Sequence, residues 1–333
     1  MRKMIDRRGA AKMVHVKKRL PRDGGFTVVR LSVKDGYQGN RYQLERLGTQ
    51  AFSAGLERYL RRRPELTFDH PNNRARRALQ LMPVFSAWAK LMPDSLALEP
   101  MHHPELSGLA SGEKIDFLMR RMFRHALDAI GIRTRTVVGA WLTEQYVREQ
   151  NLTSLTWTSL AGGTAAPGFL MLAASGLPAS KCRLQLADLD PVALKIAAEI
   201  AQYEGMKSTQ LKTLEINILR RAELIKKFGA GGSDVVEMMG IFEYLNDRSC
   251  VQLLQTASSL VKTDGLILLA NMRRKHKQIN LSKRGAGWPG VKPRSAEMVV
   301  TLIRRAFSEQ KMSLEIYQPT DGAYNVFVVK KSA

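Results

Sequence analysis

The sequence predicts an α/β protein. A parallel sheet covered by helices on both faces is closed by an antiparallel hairpin and preceded by a mainly helical N-terminal region. Three observations lead there. From about residue 150 onward, β-prone runs alternate with helical patterns, which places parallel strands between two helical layers. The last two β-prone runs, "MSLEIYQ" and "AYNVFVVKK", are joined only by "PTDG". That connection is too short for a parallel crossover, so this pair is antiparallel. Before residue 150 the apolar spacing is helical almost throughout.

The elements follow in order. Residues 1–25 read as a basic flexible arm, and residues 26–112 as a mainly helical cap or substrate region. A short strand or hairpin is expected at Phe26–Val33, ending at the turn residues Asp35–Gly36. Helical patterns run at about 43–62 and 73–91, with "RRRP" and "LMP" as punctuation. The segment "LEPMHHPELSG" is a connector broken by two prolines. Helix signals resume after Ser111, a candidate cap, and Gly131 is a candidate terminator. A further helix spans about 133–150. Residues 113–333 then form a second, α/β domain, with strands at about 154–160, 182–187, 210–216, 233–238 and 264–270. Its helices fall at about 166–175, 191–204, 219–228, 247–262 and 295–309.

Composition narrows the class. The 333 residues are 44% hydrophobic and 25% charged, which are globular values. The two cysteines, Cys182 and Cys250, have no metal-ligand spacing and form no disulfide framework, so a reducing cytoplasm is the expected setting. No apolar run reaches the length of a membrane span. The start, "MRKMIDRRGAAKMVHVKKRL", lacks the continuous apolar core of a secretory signal, although its acid-poor character would suit an organelle transit peptide. The net charge is +22. Residues 1–112 hold 21 Lys/Arg against 10 Asp/Glu, and the remaining 221 hold 31 against 20, so the first part is about twice as charge-dense. Such a field attracts polyanions, nucleic acid among them, without identifying one. The paired His102–His103 lacks Cys or acid partners at ligand spacing and reads as surface rather than metal.

Three stretches carry chemistry. "LTWTSLAGGTAAPGF" (155–169) is a β-prone run entering a Gly-rich turn and then a small-residue helix, the layout of a nucleotide loop. By itself a plain turn is an equal reading. "CRLQLADLDPVALKIAAEIA" is a strand ending at Asp188, followed by a helix that Asp190 caps with Pro191 at its first position. An acid about 20–25 residues after a glycine loop can accept hydrogen bonds from both ribose hydroxyls. The third stretch, "SDVVEMMGIFEYLNDRSCVQLL", is a strand ending at Gly240 and a loop beyond its carboxyl end, where ligands of parallel sheets bind.

Five βα units, a terminal hairpin and these loops together resemble the class I S-adenosylmethionine (SAM) methyltransferases, over roughly residues 130–331. The resemblance implies a seven-stranded Rossmann-like sheet and SAM as cofactor. It aligns "SLAGGTA" with the family's acid–x–Gly–x–Gly–x–Gly loop. Ser159 then stands at the acid, Ala161, Gly163 and Ala165 at the glycines. The implied cofactor-facing residues are Ala161, Gly162, Gly163, Thr164, Asp188, Leu189, Asn217, Gly240 and Phe242; for Asn217 a turn cap is the alternative. "GIFEYL" is similar to the "hxxhEyL" loop of family members that act on small molecules. The nucleobase-modifying signatures, an Asn/Asp-Pro-Pro-Tyr/Phe loop or a Pro-Cys nucleophile, do not occur. Glu243 and Tyr244 are the catalytic candidates by loop position. The tail, with "WPGVKPRSAEM" and "PTDGAYNVFVVKK", resembles a bacterial branch with poorly defined substrates. Trp288, Arg294 and Tyr324 are its candidate substrate contacts. A plug over the sheet edge is the other reading of Trp288, and a solvated charge that of Arg294. Arg133 and Arg135, on the helix before the first strand, are candidates for the cofactor carboxylate.

Methyl transfer to a small-molecule or lipid-like acceptor is therefore expected, with no metal. An RNA-modifying methyltransferase and a non-catalytic SAM-fold protein are the alternatives. The acceptor and the oligomeric state are not encoded in any motif.

Overall fold

A computed structural model describes residues 13–37, 39–308 and 310–332. Nine strands form one sheet among them. Strands β3 (Leu155–Leu160), β4 (Cys182–Asp188), β5 (Leu211–Glu215), β6 (Ser233–Met239) and β7 (Val261–Met272) are parallel, and β8 (Met312–Pro319) and β9 (Tyr324–Lys331) make the terminal hairpin. The spatial order is β8-β9-β7-β6-β3-β4-β5, with β9 inserted antiparallel between β7 and β8. The expected seven-stranded sheet is present within this larger one.

The difference lies at the β8 edge. Residues 1–12 of the expected arm lie outside the described residues, but Val14–Arg22 is a strand, β1, paired antiparallel with β2 (Phe26–Val33). β2 in turn pairs in parallel with β8, which makes nine strands rather than seven. Lysine and arginine hide this strand in a composition count. Its basic side chains are exposed, and the strand forms the outer edge of the sheet. Lys17, Lys18, Arg19 and Pro21 are the residue types that keep an open edge from pairing further.

Helix α6 (Leu127–Glu149), with α7 (Ala166–Ala174) and α8 (Pro191–Tyr203), covers one face of the sheet around Trp157, Leu184 and Val235. α9 (Arg221–Phe228), α10 (Asp247–Leu260) and α11 (Ala296–Ala306) cover the other, around Val236, Ile267 and Phe327. No helix among the described residues is long and apolar enough to cross a membrane. A third cluster, built on Phe85, Trp88, Met119, Phe123 and Tyr324, joins the N-terminal helices to the start of α6 and the loop after β7. Those helices are α1 (Gln43–Arg61), α2 (Arg74–Gln80), α3 (Phe85–Lys90), α4 (Glu99–His102) and α5 (Phe117–His125).

Three helix boundaries differ from the sequence reading. The pattern at 73–91 is two helices, broken at Leu81–Val84 where Pro83 removes a backbone donor. The cap after the connector is Asp116, which accepts from the Met119 N–H, and not Ser111. The break follows at Ala126, whose backbone is extended, so Gly131 is interior to α6 rather than its end. Packing explains that glycine. A Cβ there would lie 2.4 Å from Ala323 Cβ and 2.8 Å from the Tyr324 ring.

Gly131→Ala tests this packing. In an open helix the change would stabilise by up to about 1 kcal/mol. Overpacking against the β8–β9 hairpin reverses the sign, and a loss of about 1–3 kcal/mol is expected in urea unfolding. A stabilised variant would contradict the contact.

Candidate functional site

The carboxyl ends of β3, β4 and β6 open into a cavity of about 560 Å³, within the usual size of cofactor sites. The first wall is the loop after β3. Ala161, Gly163 and Ala165 all have φ of +56°, the left-handed region that costs a non-glycine residue about 1 kcal/mol. These are the three positions aligned with glycine in the resembled family. The blurred motif therefore keeps the alternating backbone that the glycines serve, with alanine tolerated at two of them. Gly162 and Gly163 are required by close approach. A Cβ at Gly162 would lie 2.1 Å from Ser159 Oγ, and one at Gly163 would lie 2.2 Å from Ser95 Cβ.

The second wall is Asp188, at the end of β4. Its Oδ2 accepts from the Gly163 N–H at 2.8 Å and its Oδ1 from the Asp190 N–H at 3.0 Å. Both oxygens are thereby fixed, and each keeps a lone pair for a hydroxyl donor. Asp190 caps α8 by accepting from the Val192 N–H.

The third wall comes from β6. Glu237, 3% exposed, has Oε2 accepting from Ser159 Oγ at 2.6 Å and Oε1 from the Met239 N–H at 2.6 Å. Ser159 and Glu237 are register partners on adjacent strands. Burial raises the Glu237 pKa, while its two hydrogen bonds and the Arg135 charge oppose that. Beyond it, Gly240, Ile241 and Tyr244 line the cavity.

The roof belongs to the N-terminal region. Pro93, Asp94, Ser95, Leu98, Glu99 and His102 all face the cavity. Glu99 accepts from Thr164 Oγ1, and burial raises its pKa. His102 stands one helical turn on. Desolvation, His103 and the charges of Arg135 and Arg133 hold its pKa well below 6.5, so the ring is neutral at neutral pH. The paired histidines are half-buried rather than fully exposed; Pro100 and Met101 bury this short helix and turn His102 toward the cavity.

Of the sequence candidates, Ala161, Gly162, Gly163, Thr164, Asp188, Leu189, Gly240 and Tyr244 share the cavity. Asn217 does not. It is exposed and accepts from the Leu219 N–H in a turn. Phe242 is fully buried in the core beneath α10. Glu243 lies behind the wall, 3.4 Å from Arg135. Tyr324 is also buried there, stacked under the Arg135 guanidinium at 4.5 Å. Trp288 donates to the Tyr244 hydroxyl and packs on Trp88, so it supports the wall from outside.

Arg294 is a strut. It donates to Phe242 O and Leu245 O and pairs with Asp247, which pins the loop after β6. Arg133 is another, buried on Asp35 and on the carbonyls of Met101, Phe123 and Arg124, whereas Arg135 reaches the cavity. Sequence reasoning missed Glu237, Glu99 and His102. The signal for Glu237 was an acid inside "SDVVEMM", a strand apolar enough to be buried on both faces, where an unpaired carboxylate is rare.

No family model and no curated protein sequence matches the chain. Solved structures similar to it include a possible exported protein from Bordetella parapertussis, 16% identical over 86% of this chain and 97% of that one, with a TM-score of 0.61. Others are magnesium protoporphyrin IX methyltransferase from Synechocystis with bound S-adenosylhomocysteine (12% identical, 66% and 90% covered, TM-score 0.47) and an O-methyltransferase family protein from Burkholderia thailandensis (18%, 60% and 60%, 0.43). Many of the similar structures are class I SAM-dependent O-methyltransferases and other methyltransferases. At a TM-score of 0.61 the chain shares the fold of the Bordetella parapertussis protein.

The strut assignment for Arg294 makes a prediction. Arg294→Ala strands two buried carbonyls and is expected to cost about 2–3 kcal/mol in thermal or urea unfolding. Arg294→Lys recovers little of this, because a single ammonium nitrogen cannot span the separate acceptors that the guanidinium reaches from three nitrogens. A variant of unchanged stability would return Arg294 to the list of ligand contacts.

Proposed function

We propose that the protein transfers the methyl group of SAM to a small-molecule acceptor carrying a dissociable proton. The observation that carries this reading is the lining of the cavity. In a chain of net charge +22, the cavity presents the carboxyls of Asp94, Glu99, Asp188, Asp190 and Glu237, with Arg135 the lone Lys/Arg side chain among its lining residues. That field favours a cation such as a sulfonium with its ammonium, and opposes a phosphate-bearing acceptor. Asp188, fixed between two backbone donors, suits a ribose diol, and Arg135 suits a carboxylate. SAM supplies an already activated methyl, so the protein has only to align the acceptor and exclude water.

The roof fits that division of labour. Ser95 against Gly163 and Glu99 on Thr164 bring the N-terminal region onto the cofactor loop. Closure over a bound cofactor would leave His102 and Tyr244 facing the acceptor. Of these His102 is the better base, because its neutral imidazole can take a proton. Burial raises the Tyr244 hydroxyl pKa above its ordinary value, which suits it to donate or to form the wall.

Calorimetry with SAM and S-adenosylhomocysteine tests the reading. The wild type is expected to bind both, and Asp188→Asn to weaken both by roughly 10–100-fold. A wild type that binds neither overturns the proposal. With methyl-tritiated SAM and a panel of phenols, catechols and carboxylic acids, His102→Gln should cut turnover by about 10²–10⁴-fold while leaving cofactor affinity intact. Because the pKa of His102 is lowered, the base stays unprotonated below pH 6.5. The acidic limb of the wild-type rate should therefore fall below that pH. A limb at or above it would exclude His102 as the base.

A further inference from the structure

Resting on that reading, we propose that Glu237 is the carboxylate that holds the ammonium group of SAM, in place of the acid missing at Ser159. The first observation is the register. Ser159, aligned with the acid of the family's first loop, is the direct lateral partner of Glu237 on β6. Register partners on neighbouring parallel strands point to the same face of the sheet. The longer Glu side chain reaches back across the pair, and its Oε2 meets Ser159 Oγ at 2.6 Å. A carboxylate oxygen thus stands at the tip of the residue that replaces the acid. The negative charge is relocated by one strand and delivered to the same place.

The second observation is the company Glu237 keeps. It is 3% exposed and lines the cavity, yet its bonded donors are a neutral hydroxyl and a backbone N–H. Among the described residues no cation pairs with it. Arg135, whose charge acts on it, is engaged by Glu243 and by the Tyr324 ring. A carboxylate buried without a cation is costly, and a cationic ligand group offsets that cost. Each oxygen of Glu237 has a second lone pair for an ammonium N–H.

The third observation concerns Gly162. A Cβ there would lie 2.1 Å from Ser159 Oγ. Only glycine leaves that hydroxyl free to turn toward β6. The serine, the glycine and the glutamate therefore form one unit, in which Ser159 positions and Glu237 binds.

The test compares SAM with 5′-methylthioadenosine, which keeps the adenosine and loses the amino-acid arm. Calorimetry on the full chain should show Glu237→Gln weakening SAM and S-adenosylhomocysteine on the order of 10–100-fold, with 5′-methylthioadenosine unchanged. Ser159→Ala, which leaves the carboxylate but removes its orienting donor, should shift SAM by a few-fold and again spare 5′-methylthioadenosine. Should Glu237→Gln fail to fold, Ser159→Ala carries the comparison. Equal weakening of all three ligands marks Glu237 as structural and overturns the proposal while leaving SAM binding standing. A wild type that binds none of them overturns the underlying reading as well.

Discussion

The hydrogen bond from the Gly163 N–H to Asp188 is the contact on which the cavity depends. It ties the loop after β3 to the end of β4, and it holds only while Ala161, Gly163 and Ala165 keep their left-handed backbone. That backbone turns the loop away from the sheet and opens the space between β3, β4 and β6. The bare Cα of Gly163 then lets Ser95 of the roof approach. One backbone donor thus connects the parallel sheet, the candidate ribose acceptor and the N-terminal helices. The parallel sheet supplies the setting, since ligands gather at the carboxyl ends of its strands.

The sheet was legible because its strands obey local rules. β3, β4 and β6 are short apolar runs bounded by turns, and the "PTDG" link forces an antiparallel hairpin. Asp188 was legible for the same reason, as a residue at a fixed spacing from a loop. β1 was not, because its run is filled by Lys17, Lys18, Arg19 and Pro21 and is exposed along almost its whole length, so it carries no sustained apolar alternation. The roof escaped notice for a different reason. Glu99 and His102 lie about 60 residues before the loop they cover, and the meeting of Glu99 with Thr164 is a tertiary event with no local period. Phe242 and Asn217 show the opposite error: a residue type suited to adenine, at about the right loop position, is in one case core and in the other a turn.

On the proposed reading, Glu237 keeps a charge that the first-loop motif loses at Ser159. A pattern read along one strand registers Ser159 as a loss. Read across the sheet, position 159 and position 237 are neighbours, and the Glu237 carboxylate reaches the Ser159 hydroxyl. Lateral pairing is fixed by hydrogen-bond register, which a one-dimensional motif does not contain. Substitutions that exchange such partners preserve the electrostatics of a site while erasing its sequence signature.

The basic excess of the chain is partly used in the same hidden way. Arg133 donates to three backbone carbonyls and to Asp35, Arg284 to the carbonyls of Leu60, Arg63 and Leu66, and Arg120 to those of Pro104, Leu106 and Ile115. Together with Arg294 these side chains fasten the irregular N-terminal segments and the loop after β7, where the backbone has no sheet or long helix to satisfy it. A guanidinium suits this work because its planar fork meets several acceptors at once. Part of the chain's positive charge is therefore internal scaffolding, and the cavity is acidic. Net charge alone pointed toward polyanions; its distribution leaves an acidic cavity under an arginine-braced roof, the setting that the proposed cationic cofactor requires.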